Sequence, residues 1–168
     1  LDLDPSKEKA LLLSRDDWQF PIFLTLLLTG LRTDELTHLL LPDDLDLEKG
    51  WLYVRNKPDL DWQVKTRNER RIPLIDELAA ILSCIIRHRK TGPVFLHRRF
   101  GCGLSPAAGL KCREALQLEL ARRLQTEELQ LGRSPNRQAR QRVYRCLWRD
   151  IGAIKSDRLR TKFMKLTR

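Results

Sequence analysis

A mainly α-helical fold with one small three-stranded antiparallel β-sheet, an α+β domain, is what this sequence predicts. Three observations carry the prediction. Apolar residues recur at helical spacing through most of the chain. Three strand-like pieces follow one another between Trp51 and Leu74 with short spacers. A length of 168 residues with 42% hydrophobic content holds one ordinary core, so a single domain over residues 1–168 is expected.

Asp4-Pro5-Ser6 predicts a helix entry with Ser6 as cap, followed by the apolar Ala10, Leu11, Leu12 and Leu13. A second helix is expected from Asp16-Asp17 through Trp18, Phe20, Ile22, Phe23, Leu26 and Leu27, with Gly30 just past its end and Pro21 in its first turns. Being apolar nearly all round, it reads as the central core helix. Arg32 to Leu41 predicts a third, shorter helix ended by Pro42, and Asp43 to Gly50 a loop. Trp51–Arg55, Asp61–Lys65 and Arg70–Leu74 are the expected strands; spacers this short imply antiparallel pairing, with Pro73 on an outer strand or at its end.

After Ile75-Asp76, the apolar positions Leu78, Ile81, Leu82, Ile85 and Ile86 predict a helix finishing in Arg87-His88-Arg89-Lys90, where Gly92-Pro93 breaks the chain. Val94-Phe95-Leu96 reads as a short extended piece, His97 to Pro106 as a loop, and Ala107 to Leu124 as helix. Thr126 to Gly132 is ambiguous. Ser134-Pro135 predicts the start of a long basic helix buried along Val143, Cys146 and Leu147; Gly152 stops it, and Ser156 opens a last helix.

The net charge of +10 is uneven. Residues 1–110 contain 16 Lys+Arg and 16 Asp+Glu, whereas residues 111–168 contain 16 and 6. Arg133, Arg137, Arg140, Arg142, Arg145 and Arg149 meet no acid in sequence before Asp150, which predicts a phosphate-facing surface. No apolar run is long enough to span a bilayer, so a soluble, intracellular protein without a membrane partner is expected. Cys84, Cys102, Cys112 and Cys146 form no CxxC pair and read as buried free thiols. His38, His88 and His97 have no partners at metal-ligand spacing, and His97 stands beside Arg98 and Arg99, within reach of DNA. No metal is expected.

Two segments carry the chemistry. Thr29-Gly30-Leu31-Arg32-Thr33-Asp34-Glu35-Leu36 sets one arginine at a helix start with an acid three residues on, and Lys65-Thr66-Arg67-Asn68-Glu69-Arg70-Arg71-Ile72-Pro73-Leu74 places a lysine in a hairpin turn. Arginine binds two phosphate oxygens at once and stays charged; lysine can release a proton when its pKa is lowered. Taken alone, Arg32 and Glu35 also read as a helix-end ion pair, and Lys65 as a solvated turn residue.

Together these segments resemble the catalytic domain of the tyrosine recombinases, the phage-integrase family, and Leu41 to Val54 resembles that family's passage into its first strand. The resemblance implies Arg32 as first catalytic arginine, Glu35 as a supporting acid, and Lys65 as the acid that protonates the 5′-oxygen leaving group. Ser156-Asp157-Arg158-Leu159-Arg160-Thr161-Lys162-Phe163 resembles the family's His-x-x-Arg segment, which makes Arg160 the second catalytic arginine and puts Asp157 at the expected histidine position. An alternative register makes Arg158 the ligand, preceded by Lys155. Arg67, Arg70 and Arg71 are expected to contact backbone phosphates, as are Arg137 and Arg140 on the basic helix. Trp62 is expected to brace the Lys65 hairpin.

By the same resemblance, the function is site-specific DNA recombination or integration of a mobile element through a 3′-phosphotyrosyl intermediate. The partners implied are double-stranded DNA and further copies in a tetramer on it, at the nucleoid in the cytoplasm, with no cofactor. The chain stops eight residues after Arg160, short of the family's nucleophilic tyrosine; Tyr53 and Tyr144 read as core or surface aromatics. Three readings therefore stand: a recombinase core without its nucleophile segment, a non-catalytic integrase-like DNA-binding module, and a type IB topoisomerase.

Overall fold

The structure, a computed structural model, describes residues 17–100 and 104–166. The expected helix after Ser6 and the loop cysteine Cys102 lie outside them. The architecture is an α+β fold, mostly helical with small antiparallel sheets. No helix among the described residues is long and apolar enough to cross a membrane.

A 3-10 turn, Asp17–Gln19, leads into α1, Phe20–Thr29. Gly30 ends α1 at φ 63°, its N–H donating to Leu26 O, as the glycine after an apolar run predicts. The expectation of a central core helix is overturned. Only Pro21, Ile22 and Thr25 are buried, while Phe20 and Leu28 are exposed and Leu27 is 79% exposed. Among the described residues the helix packs against α3, Asp76–Ile86, and the 3-10 turn Asp17–Gln19, and its apolar circumference exceeds what they cover.

The next helix, α2, is only Thr33–Thr37. His38 terminates it, and Leu40–Leu41 instead forms β1, antiparallel to β5, Gly92–Pro93. The side chain of Asp44 accepts the Leu40 N–H at 2.8 Å, a tertiary hydrogen bond that competes with continued helix. The three-stranded sheet exists in the order β2-β3-β4, antiparallel, but with a different membership from that expected. Its strands are β2, Leu45–Asp46, from the presumed loop; β3, Trp51–Val54; and β4, Arg70–Pro73. Pro73 ends an edge strand, where its missing donor is tolerated. Asp61–Lys65 is not a strand: Pro58–Leu60 is a 3-10 turn, and a lone bridge pairs Lys57 with Trp62.

Two long helices complete the fold. The ambiguous residues 126–131 belong to α4, Arg113–Leu131, which begins later than expected and ends at Gly132. The basic helix is α5, Arg137–Asp150; its cap is Asn136, whose side chain accepts the Ala139 N–H at 2.9 Å, and not Ser134, which donates to Glu128. Finally α6, Ser156–Leu166, packs on α2. The larger buried cluster gathers Leu36, Leu52, Leu78, Leu82, Phe95 and Leu159; the second joins Leu116, Leu120, Leu147, Trp148 and Ile151 beneath α4 and α5. Leu36 of α2 and Leu159 of α6 thus share one core.

Candidate phosphate-binding site

Arg32 is the cap residue of α2, with extended backbone, and its N–H donates to Glu35 Oε2 at 2.9 Å. Half of a capping box is therefore present; the arginine side chain has no acceptor with which to complete it. Glu35 is 2% exposed and receives a bidentate clamp from Arg70: Nη1 to Oε1 at 3.1 Å and Nη2 to Oε2 at 2.6 Å. Burial raises the Glu35 carboxyl, but the Arg70 hydrogen bonds, the Arg32 N–H and both guanidinium charges outweigh it and hold the group below its ordinary range. The Arg32 guanidinium lies 3.5 Å from Glu35 Oε1 and is 50% exposed. Arg70 satisfies the buried carboxylate, so most of the Arg32 fork remains open to an external anion.

The expected phosphate contacts on β4 separate. Successive strand residues face opposite sides of a sheet. Arg70 turns inward to Glu35, and its side chain is committed there. Arg71 turns outward and lies 4.7 Å over the Trp51 ring. Arg67 is exposed at φ 58° in the loop between them and Lys65.

Lys65 is exposed in a turn closed by the Arg67 N–H donating to Val64 O at 2.7 Å. The turn is pinned from two sides. Asn56 accepts the Val64 N–H on Oδ1 at 2.9 Å, donates through Nδ2 to Arg67 O at 3.4 Å, and gives its own N–H to Glu69 Oε1 at 2.8 Å. Trp62 is buried, donates through Nε1 to Asp34 Oδ2 at 3.1 Å and stacks on His38 at 4.8 Å. Trp62 therefore braces the segment before Lys65 against α2, whose cap is Arg32, although Lys65 lies in a turn of an irregular loop and not in the expected hairpin between two strands. Asn56, by contrast, reads in sequence as mere turn composition.

Arg160 is exposed and follows Leu159, which is fully buried against the core shared with α2. Asp157 is exposed one turn earlier, and Arg158 points instead to His97, Nη1 to Nε2 at 3.0 Å. Among the described residues no hydrogen bond or ion pair joins Arg32, Lys65 and Arg160, and none has been expected between like charges. Packing brings the helices of Arg32 and Arg160 together, and Arg70 and Trp62 tie the Lys65 loop to α2.

The basic helix is less naked than its sequence. Arg140 reaches Asp61 at 3.6 Å, Arg142 reaches Glu127 at 3.6 Å, and Arg149 meets Asp150 at 3.0 Å. Acids from other elements thus temper two of the six cations, Arg140 and Arg142, while Arg149 pairs with Asp150 at the end of its own helix. Arg137 and Arg140 recur on the α5 face of Tyr144, which stacks on His38 at 5.9 Å; this places Arg140 beside Asp61 and the start of the Lys65 segment. No group of His, Cys, Asp and Glu among the described residues could hold a metal. Cys84, Cys112 and Cys146 are free thiols, but contrary to the buried expectation Cys84 is exposed and the other two are only half-buried.

His38 is a structural histidine with a pH consequence. Its Nδ1 lies 2.6 Å from Asp34 O, and its ring packs against Trp62, Tyr144 and Trp148. Burial pushes its pKa down; Asp34 opposes this and Lys57 adds to it. The folded state then binds fewer protons than the unfolded chain, whose histidine titrates at about 6.5. Stability is full above that value and declines as pH falls below it. Urea unfolding of wild type and His38→Phe across that range checks this: the wild type should lose stability relative to the variant, and parallel curves would refute it.

Compared with family models, with characterised proteins and with solved structures, the chain matches none.

Proposed function

We propose that the chain binds duplex DNA and performs phosphoryl transfer at a single backbone phosphate, as in site-specific recombination. Arg32 and Arg160 hold the nonbridging oxygens, and Lys65 carries the proton of the 5′-oxygen. The observation that supports this most is the mounting of Arg32. A buried carboxylate fixes its backbone, a second arginine neutralises that carboxylate, and the Arg32 guanidinium is left half exposed. Fixed donors of this kind stabilise a five-coordinate phosphorus because they need no rearrangement as charge develops.

By the same reading cleavage gives a 3′-phosphotyrosyl intermediate, and assembly as a tetramer on DNA belongs to it. Asp157, exposed and acidic at the position where a cationic donor is expected, favours a second reading, a DNA-binding module without chemistry.

The resealing half-reaction separates the two without the tyrosine. The substrate is a nicked duplex whose 3′-phosphate carries p-nitrophenol opposite a 5′-hydroxyl. The 5′-oxygen bonds to phosphorus, its proton is removed by Lys65 acting as general base and released to solvent, and the nitrophenyl oxygen leaves as nitrophenolate. Sealing with colour release is expected, and Lys65→Ala should slow it about 100-fold. Tight DNA binding with no sealing would establish the binding module instead.

A further inference from the structure

A second group of cations gathers where the loop after β5 meets the start of α6. Leu96 bridges Ala153, and the His97 N–H donates to Gly152 O at 2.8 Å. Gly152 permits this approach: its φ is +89°, and a Cβ there would stand 3.0 Å from Phe100 and Pro106 and 3.1 Å from Leu96. The loop is thereby pressed onto the junction of α5 and α6, and His97 is fixed beside Arg158.

Donors face both nitrogens of that ring. Arg158 Nη1 lies 3.0 Å from Nε2, and the Arg99 N–H approaches Nδ1 at 3.4 Å. A neutral imidazole offers one acceptor nitrogen, and a guanidinium offers none. The Arg99 guanidinium is exposed, 4.5 Å over the Phe100 ring, and Phe100 meets the His97 ring edge-on. Lys155 is exposed one turn before Arg158. Asp157 is the acid nearest in sequence, exposed on the same helix, and it forms no ion pair with this group. Among the described residues donors outnumber acceptors here, and an anion entering between them would supply a further acceptor.

We propose that His97, Arg99 and Arg158 form a second phosphate-binding point, which grips a backbone phosphodiester of duplex DNA with residues that the Arg32 site does not use. This rests on the DNA reading above. Burial, then Arg158 and Arg99, depress the His97 pKa and so favour the neutral ring before the phosphate arrives. The phosphate oxygens accept from Arg158 and Arg99, and the added negative charge draws a proton onto His97, which then donates as well. Affinity therefore rises as pH falls.

Anisotropy of a labelled random-sequence duplex tests this with the intact chain. Between about pH 8 and about pH 6 the wild-type dissociation constant should tighten about fivefold, and the response should vanish in His97→Gln. In Arg158→Ala the slope of log affinity against log salt should fall by about 0.9, one phosphate's share. Arg32→Ala should keep the pH response. If both variants behave as wild type, this second point is overturned while DNA binding stands. If the wild-type chain shows no salt-dependent duplex binding, the DNA reading fails with it. Inorganic phosphate alone, titrated against the His97 imidazole signal, identifies the source: saturation by free phosphate at concentrations below those that compete with DNA would replace the phosphodiester by a free anion and overturn the assignment.

Discussion

Lys57→Ala is expected to remove about 3–5 kcal/mol of folding stability and to lower Tm by roughly 10 °C. Lys57 and Asp44 are 1% and 0% exposed and meet at 2.8 Å. Asp44 Oδ2 also accepts the Leu40 N–H, Lys57 Nζ reaches Arg55 O at 3.4 Å, and the ammonium stands 5.0 Å from the Trp62 ring centroid. Such a pair gains little net energy, because desolvation offsets most of the attraction. Removing one member is another matter, since the other charge stays buried and unpaired. Burial already pushes the Asp44 carboxyl up against the pull of Lys57. Without the ammonium, the folded state must keep a proton on Asp44 that the unfolded chain releases in the ordinary carboxylate range. A group whose folded pKa is raised loses stability as pH rises. The deficit of the variant should thus be larger at about pH 8 than at about pH 5. Urea unfolding at both values measures it, and a deficit under about 1 kcal/mol at the higher pH would mean that water reaches Asp44.

The same region shows how far the sequence could be read. In Asp61-Trp62-Gln63-Val64-Lys65 the alternation correctly forecasts burial, for Trp62 and Val64 are buried and the other three exposed. It does not forecast a ladder. The Val64 N–H goes to the side chain of Asn56, and the third strand comes from Leu45–Asp46, two residues too short to stand out from a loop. Lys57, in a Lys-Pro-Asp turn, looks like a solvated charge; its partner Asp44 is just as inconspicuous among Asp43, Asp44 and Asp46. Arg32 and Glu35 were legible because their spacing is local. The clamp of Arg70 on Glu35 was not, since it joins residues 35 apart in sequence and depends on which side of β4 each arginine faces. Sequence periodicity reports faces; it does not report which opposite charge a face meets.

Arg32→Ala should lower the resealing rate by about 100- to 1,000-fold and leave duplex affinity within about threefold of wild type. The reasoning starts from what the substitution spares. The backbone N–H of residue 32 still caps α2 through Glu35, Arg70 still clamps that carboxylate, and the lost ion pair is long and half in solvent, so stability should change by under about 1 kcal/mol. Binding is spared because Arg32 is one cation among many on a chain of net charge +10. Chemistry is not spared, because a preorganised donor acts on charge that develops only in the transition state. Arg70→Ala provides the contrast. It frees Glu35 to capture the Arg32 guanidinium, so that side chain would be held back by the acid that now supports it, and stability would drop as well. A rate defect in Arg32→Ala that tracks an equal loss of DNA affinity would make Arg32 an ordinary backbone contact. An unchanged rate would remove it from the site.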